Sequence, residues 1–490
     1  MRTPLIQHSS GNDNHYGANE NPIREHTSID GSNFASPVLN LISNAASMEK
    51  GFMGFDPTYN APTGTLTSDV DYCDLDAEGK PIVYANNSPA LTIFLLVNTM
   101  IGSGVLNQPF VFKDAGLLGG GVGFAIATYC TWLSLTVITD VGIQLNILEF
   151  SGLAERAFDT AGLRINDVSI VIGAFGALLG YILVIGSTMS ELLYNWGCSE
   201  DSSVCGIYGT SIIFVTVFVL PLCLMRQFGH LAYVSIFSVF TIVLVLGLVT
   251  IGGPIRTRND HNPNVPYNYF DFNGTLRSMG SILFALSCTP ANFQAFVAAD
   301  KPSRNMVTWS RITGYAVSIG ALMCALMGIV GYLSFESKTK ENILSNFTTS
   351  PFDFFKMMVV CHICAYIPVN FMIMRYSVVK LTMRMKSEAL PLMKHVFITV
   401  LLLGFTTAFA LGMIAVGLGA GEAYGLTLDI TGGVGTSITN FIMPSAIYLK
   451  LMPATGTYYT HAKCLFVTGW VFMTLVVIGV IQMESAKASA

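Results

Sequence analysis

Eleven apolar stretches follow one another down this chain, separated by short polar loops. They cover about residues 89–112, 117–146, 168–196, 208–225, 231–252, 276–298, 309–333, 352–374, 395–417, 425–449 and 464–483. Most are long enough to cross a bilayer as a helix. Lipid satisfies no backbone N–H or C=O, so a chain patterned this way folds as a bundle of membrane helices. Composition leaves no soluble alternative. Only 11% of the residues are charged, against about 25% in an ordinary soluble domain. The reading is an all-α, multi-pass membrane protein of about eleven transmembrane helices, with lipid as its surroundings and no nucleic-acid partner.

The first apolar stretch breaks the rules of a spanning helix. Between Asn98 and Pro109 it places Gly102 and Gly104 one residue apart at mid-depth, around Ser103, and Pro109 then removes a backbone donor. Backbone freed at that depth must face protein or a water-filled cavity. In secondary transporters such breaks hold cargo: half-helix N-termini point amides at an anion, and unwound carbonyls hold a cation or amine. The plainer reading is that the glycines let a neighbouring helix approach closely. The sixth stretch carries a second break, Leu286-Ser287-Cys288-Thr289-Pro290. Pro290 cannot donate to Leu286, and the small polar side chains before it compete for backbone partners. Two interrupted helices five apart lie in oppositely oriented halves, the arrangement of a 5+5 inverted repeat with discontinuous helices one and six.

Outside these spans the chain divides simply. Residues 1–87 are polar, without an apolar signal-peptide core, and read as a disordered cytoplasmic tail with room for regulatory partners. Residues 88–484 form the transmembrane domain and 485–490 a short C-terminal tail. With the N-terminus in the cytoplasm, 13 Lys and Arg fall in inner connections and 8 in outer ones, the bias expected of that orientation. It also places Cys198 and Cys205 outside, where a disulfide persists, together with the glycosylation sequons at Asn273 and Asn346. A third sequon at Asn86 falls inside and is silent.

Several stretches resemble the amino acid/auxin permease family, closest to its sodium-coupled neutral amino acid transporter branch. They are Asn98-x-x-x-Gly102-Ser103-Gly104-x-Leu106 with Phe112-x-x-Ala115-Gly116, the run Arg226 to Ser238, Lys301-Pro-Ser-Arg304-Asn-Met306, and Pro368 with Arg375-Tyr-Ser377. The resemblance spans roughly 88–484 and implies amino acid transport by alternating access. It carries Asn98 over as an ion-site residue and Gly102, Ser103 and Gly104 as the clamp for the substrate carboxylate. The family's second sodium ligand is a helix-eight threonine. Here Cys364 or Tyr366 stands at that place, and a thiol is a poor partner for a hard cation.

A zwitterionic amino acid needs an anion site opposite a cation site. The amides near Ser103 and Gly104 supply the first; the carbonyls of Leu286, Ser287 and Cys288 supply the second. Ser287 and Thr289 side chains shape the pocket, and Tyr181 in helix three either closes over the substrate or simply packs. His362 lies in the interior of an apolar stretch, whereas His395 stands at the edge of one, and His362 is the candidate for proton coupling. Glu191, Asp140 and Asp429 are further acids at or near membrane depth and receive no role. No resident cofactor is expected; Na+ or H+ is the coupling ion, or transport is facilitative. Intramembrane protease motifs are missing, so an enzyme is not expected. A sensor that binds an amino acid and signals through the tail is the alternative. The plasma membrane and a lysosomal or vacuolar membrane both remain open.

Overall fold

A computed structural model describes residues 87–489, apart from 200–201, 225–231, 261–266, 349–351 and 384–389. The tail read as disordered, the Asn86 sequon and part of the Arg226 stretch lie outside the described residues.

The described residues are helical, with one isolated parallel bridge between Asn87 and Ala299. The first apolar stretch is two pieces, α1 (Pro89–Met100) and α2 (Gly104–Leu145), separated by Ile101–Ser103. Local chemistry starts α1: Pro89 follows Ser88, whose hydroxyl accepts from Leu91 N–H at 3.4 Å. Within α2 the chain turns at Gly116, where φ is +78° and a Cβ would stand 2.6 Å from backbone atoms of Tyr269 and Phe270. Only glycine fits there, and the turn separates the first apolar stretch from the second.

Helix α3 (Phe150–Asn195) begins well before the 168 expected from apolarity. Its first turns carry Glu155 and Arg156 and end at a bend where Asp159 has φ +52°. A short charged helix has no apolar signature, so the sequence pattern passes over it. Then come α4 (Ile207–Cys223) and α5 (Ala232–Asp260). The sixth stretch is broken, into α6 (Phe272–Ala285) and α7 (Asn292–Ala298). Next are α8 (Met306–Phe335), α9 (Asp353–Met383) and α10 (Leu392–Ala415). The tenth stretch is α11 (Ala420–Ile430), a π-helical segment Thr431–Ile442, and α12 (Met443–Leu451). Finally α13 (Tyr459–Ser489) continues through residues 485–489, which the sequence reading assigned to a tail.

Among the described residues, seven helices are long and apolar enough to cross a membrane; the shorter apolar helices Pro89–Met100, Ile207–Cys223 and Phe240–Pro254 fall on further apolar stretches. The core packs α2 against α8 and α6, and α3 against α9 and α11. Helices α10 and α13 bury least and turn large apolar side chains outward, among them Phe397, Phe405, Trp470 and Ile481. A water-facing surface would make that an aggregation liability; a lipid-facing one requires it.

Ion pairs and one covalent link fasten the ends. Cys198 and Cys205 form a disulfide in the loop after α3. Lys356, 1% exposed, meets Glu191 at 2.7 Å. Arg277 pairs with Asp114. Between α3 and α9, Lys380 lies 3.6 Å from Glu149, which precedes α3, and 3.9 Å from Asp167 within it. Burial pushes Glu149 up to about 7 against the opposing pull of Lys380.

Candidate functional site

At the first break, Gly102 N–H turns back onto the Met100 carbonyl at 3.0 Å. Val105 and Leu106 N–H close onto Gly102 and Ser103 at 3.4 and 2.9 Å. The amides at the mouth of α2, where the helix dipole is positive, are those of Gly104 and of Ser103, which points at the Tyr181 hydroxyl. The Ser103 hydroxyl is buried and has no partner.

At the second break, Ser287 N–H bonds the Phe284 carbonyl at 3.1 Å, and Ala291 N–H bonds the Cys288 carbonyl at 3.1 Å. Pro290 has no N–H to offer Leu286. The carbonyls left at the negative end of α6 are therefore those of Leu286 and Ser287. The Cys288 carbonyl, expected as a third, already accepts one bond in the short 3-10 turn Thr289–Ala291 and keeps one lone pair. Thr289 is 1% exposed, its hydroxyl unpartnered.

The two breaks lie against each other. A Cβ on Gly104 would stand 3.0 Å from the Phe284 ring and 3.4 Å from Ala285 Cα, at the end of α6. At the far ends of the same pair, Asn87 N–H bonds the Ala298 carbonyl at 3.0 Å, and Asp300 N–H bonds the Asn87 carbonyl at 2.9 Å. The broken helices are thus joined at mid-length and at the start of α1.

Three helices surround the breaks. From α3, Tyr181 sets its hydroxyl against Gly102, where an added Cβ would lie 2.8 Å from it; that hydroxyl also accepts from Asn370 Nδ2 at 3.5 Å. From α9, the Tyr366 hydroxyl donates to the Asn98 carbonyl at 3.4 Å, and its ring meets Tyr181 edge to face at 6.0 Å. From α11, the Tyr424 hydroxyl donates to the Ser103 carbonyl. In the π segment, Asn440 Oδ1 accepts from the Ser287 hydroxyl at 3.4 Å.

Gly102, Ser103, Tyr181 and Asn98 come together at the first break, and Gly104 touches the end of α6. Asn98 Oδ1 is buried without a partner, which suits it to a small cation. Tyr366, not Cys364, is the α9 residue that reaches Asn98. His362 is 1% exposed with Nδ1 unpartnered; its ring tilts onto Tyr366 at 5.6 Å, one turn from the break. Tyr424, Asn370 and Asn440 were not foreseen, because nothing local marks them: their roles come from tertiary contact. Asn273 is exposed in the first turn of α6. Asn346 is a correction. It is 9% exposed, and Nδ2, the atom a glycan is attached to, donates to the Lys338 carbonyl at 2.8 Å while Oδ1 accepts from Lys340 N–H. It pins its loop.

The profile of the transmembrane amino acid transporter protein family matches residues 85–483. Vacuolar amino acid transporter 2 of Saccharomyces cerevisiae is 27% identical over 53% of this chain and 55% of its own length, so the chain spans about half of that relative. A Bos taurus protein whose name includes sodium-coupled neutral amino acid transporter 11 is 24% identical over 75% of this chain and 77% of its own. Among solved structures, an Eremococcus coleocola manganese transporter superposes with a TM-score of 0.52 at 11% identity, covering 84% of this chain and 91% of that one. That likeness shows the fold alone.

Proposed function

Because the chain belongs to the transmembrane amino acid transporter protein family, we propose that it carries amino acids across a membrane by alternating access, with the substrate held between the two breaks. The observation that carries this is the juxtaposition of opposite helix ends: the amides of Ser103 and Gly104 at the start of α2, packed through Gly104 against the end of α6, where the Leu286 and Ser287 carbonyls are free. Amides and a positive helix end take a carboxylate; carbonyls and a negative helix end take an ammonium. A free α-amino acid presents both on one carbon. Tyr181 covers the carboxylate end, and the Ser103 hydroxyl adds a donor to it.

The unpartnered Asn98 Oδ1, on the residue whose backbone carbonyl takes the Tyr366 hydroxyl, is the place for a coupling Na+, and His362, against the Tyr366 ring, is the candidate for proton coupling. The names of the relatives are those of transporters, which favours a carrier over a sensor. The S. cerevisiae relative is named vacuolar, which favours a vacuolar or lysosomal membrane over the plasma membrane. The orientation bias of Lys and Arg supports a cytoplasmic N-terminus, with Asn273 on the outer face open to glycosylation.

The test is uptake of a panel of labelled amino acids into proteoliposomes under separate sodium and proton gradients, together with counterflow. The carrier reading expects counterflow of at least one amino acid. Saturable binding with neither uptake nor counterflow would return the protein to the sensor class.

A further inference from the structure

Asp429 is an acid at membrane depth that the substrate site leaves unused. It stands in the last turn of α11, and α6 holds it. Its Oδ1 accepts from the Ser281 backbone N–H at 3.1 Å and from the Ser281 hydroxyl at 2.6 Å. The same hydroxyl accepts from Asn107 Nδ2 at 3.0 Å, and Gln108 Nε2 approaches the Ser281 carbonyl at 3.5 Å. Asn107 lies in the first turn of α2 beyond the first break, and Ser281 lies shortly before the second. Asn107 is 2% exposed and its Oδ1 has no partner. One carboxylate is therefore wired to both broken helices through one hydroxyl. Helix α11 reaches the first break a second time through Tyr424.

An ionisable group at this depth is expensive to keep, and acids in such places mark ion and proton pathways. The charges that reach Asp429 are Asp114 on α2 and Arg277 on α6, which pair with each other. Glu341, from the loop after α8, lays its side chain against Gly421 and Gly425 on α11. Among the described residues, no cation pairs with Asp429. His362, by comparison, meets the first break by way of the Tyr366 ring.

We propose that Asp429 binds and releases the proton that drives transport. This rests on the carrier reading above. A proton from water on the loading side adds to the carboxylate and later leaves to water on the other side; no other bond forms or breaks. Ionised, Asp429 grips Ser281 through two charge-assisted hydrogen bonds, which are roughly twice as strong as those to a neutral acid. Neutralised, it loosens that grip, and the Asn107–Ser281 contact between the two broken helices is free to rearrange. Protonation thereby biases how the breaks sit against each other, which is what coupling requires.

The experiment reconstitutes the full chain in sodium-free proteoliposomes and compares accumulation driven by a proton gradient with counterflow. Wild type is expected to accumulate label, and a protonophore is expected to abolish it. Asp429→Asn is expected to lose that accumulation entirely while still exchanging label in counterflow. No counterflow by wild type sinks the carrier reading itself. Wild-type counterflow without proton-driven accumulation, or with a drive from sodium alone, overturns the Asp429 assignment and leaves the carrier. So does an Asp429→Asn variant that still accumulates. If Asp429→Asn loses counterflow as well, Asp429→Glu decides: recovery of proton-driven accumulation supports a titrating carboxylate, and failure to recover rejects it.

Discussion

Replacing Gly102 by alanine tests whether Tyr181 is a lid on the first break or a bystander. Gly102 does not have a left-handed φ, so alanine carries no backbone penalty there. The whole cost is steric: the new methyl stands 2.8 Å from the Tyr181 hydroxyl, whereas the next ring atom, Cζ, is at an ordinary 3.8 Å. Tyr181 is 3% exposed and has little room to retreat. Overpacking of this kind costs about 1–3 kcal/mol. If the cost falls on the substrate-bound state, apparent affinity drops roughly 5- to 150-fold. Tyr181→Phe alone gives up a long bond to Asn370 and a bond from the Ser103 amide, and should cost about 0.5–1.5 kcal/mol. The double variant removes the colliding oxygen, so it should regain most of the lost affinity, with a coupling energy of roughly 1–2 kcal/mol. Counterflow at graded substrate concentrations measures all three. Strict additivity of the two substitutions, or a Gly102→Ala protein indistinguishable from wild type, would refute the reasoning.

Three further predictions concern the scaffold. Gly116→Ala forces a left-handed residue to carry a Cβ into the Tyr269–Phe270 backbone, so the thermal midpoint in detergent should fall by an amount corresponding to more than about 2 kcal/mol. Glu191→Gln strands the buried Lys356 and should cost about 1–3 kcal/mol, less than a fully buried pair because Glu191 is 26% exposed; adding Lys356→Met should recover stability, and a further loss in the double variant would argue against the pair. Glu149 has its proton affinity raised by burial, so the folded state binds more protons than the unfolded one between the ordinary carboxylate range and about pH 7. That stability is present below this window and is lost as pH rises through it. Melting curves should therefore show wild type losing more stability than Glu149→Gln between acidic and neutral pH, and parallel curves would count against the assignment.

Both breaks were legible in the sequence because glycine and proline act locally. Gly102 with Gly104, and Pro290 after Leu286, weaken a helix locally, although Pro109, read as part of the first break, lies inside α2 without interrupting it. The partners of the breaks were not legible. Tyr424 and Asn440 sit in an apolar run without a motif, and only the packing of α11 and the π segment brings them to Ser103 and Ser287. The charged start of α3 escaped a reading based on apolarity for a related reason: Glu155 and Arg156 are exposed on a short helix that ends at the Asp159 bend, so it carries no apolar signature. Asn346 shows the opposite failure. A sequon is a three-residue match that is blind to burial, and here the amide is occupied by its own loop.

The run from Ala420 to Leu451 links these observations. It touches the first break through Tyr424, α6 through Asp429 and the second break through Asn440. The π-helical segment Thr431–Ile442 begins just after Asp429 and contains Asn440, so most of it separates the last two contacts. Wide turns of this kind are uncommon, and they gather at functional sites. Gly432 explains why one is tolerated here: the backbone of this segment runs directly against the Gly280 carbonyl of α6, an approach that a side chain would block. An element that must follow two breaks at once cannot be a uniformly rigid rod, because its two contacts would then move only together. A wide-turn segment placed between Asp429 and Asn440 separates the contact that senses charge from the contact at the second break. The proton site and the substrate site are thereby coupled through one helix without sharing a single residue.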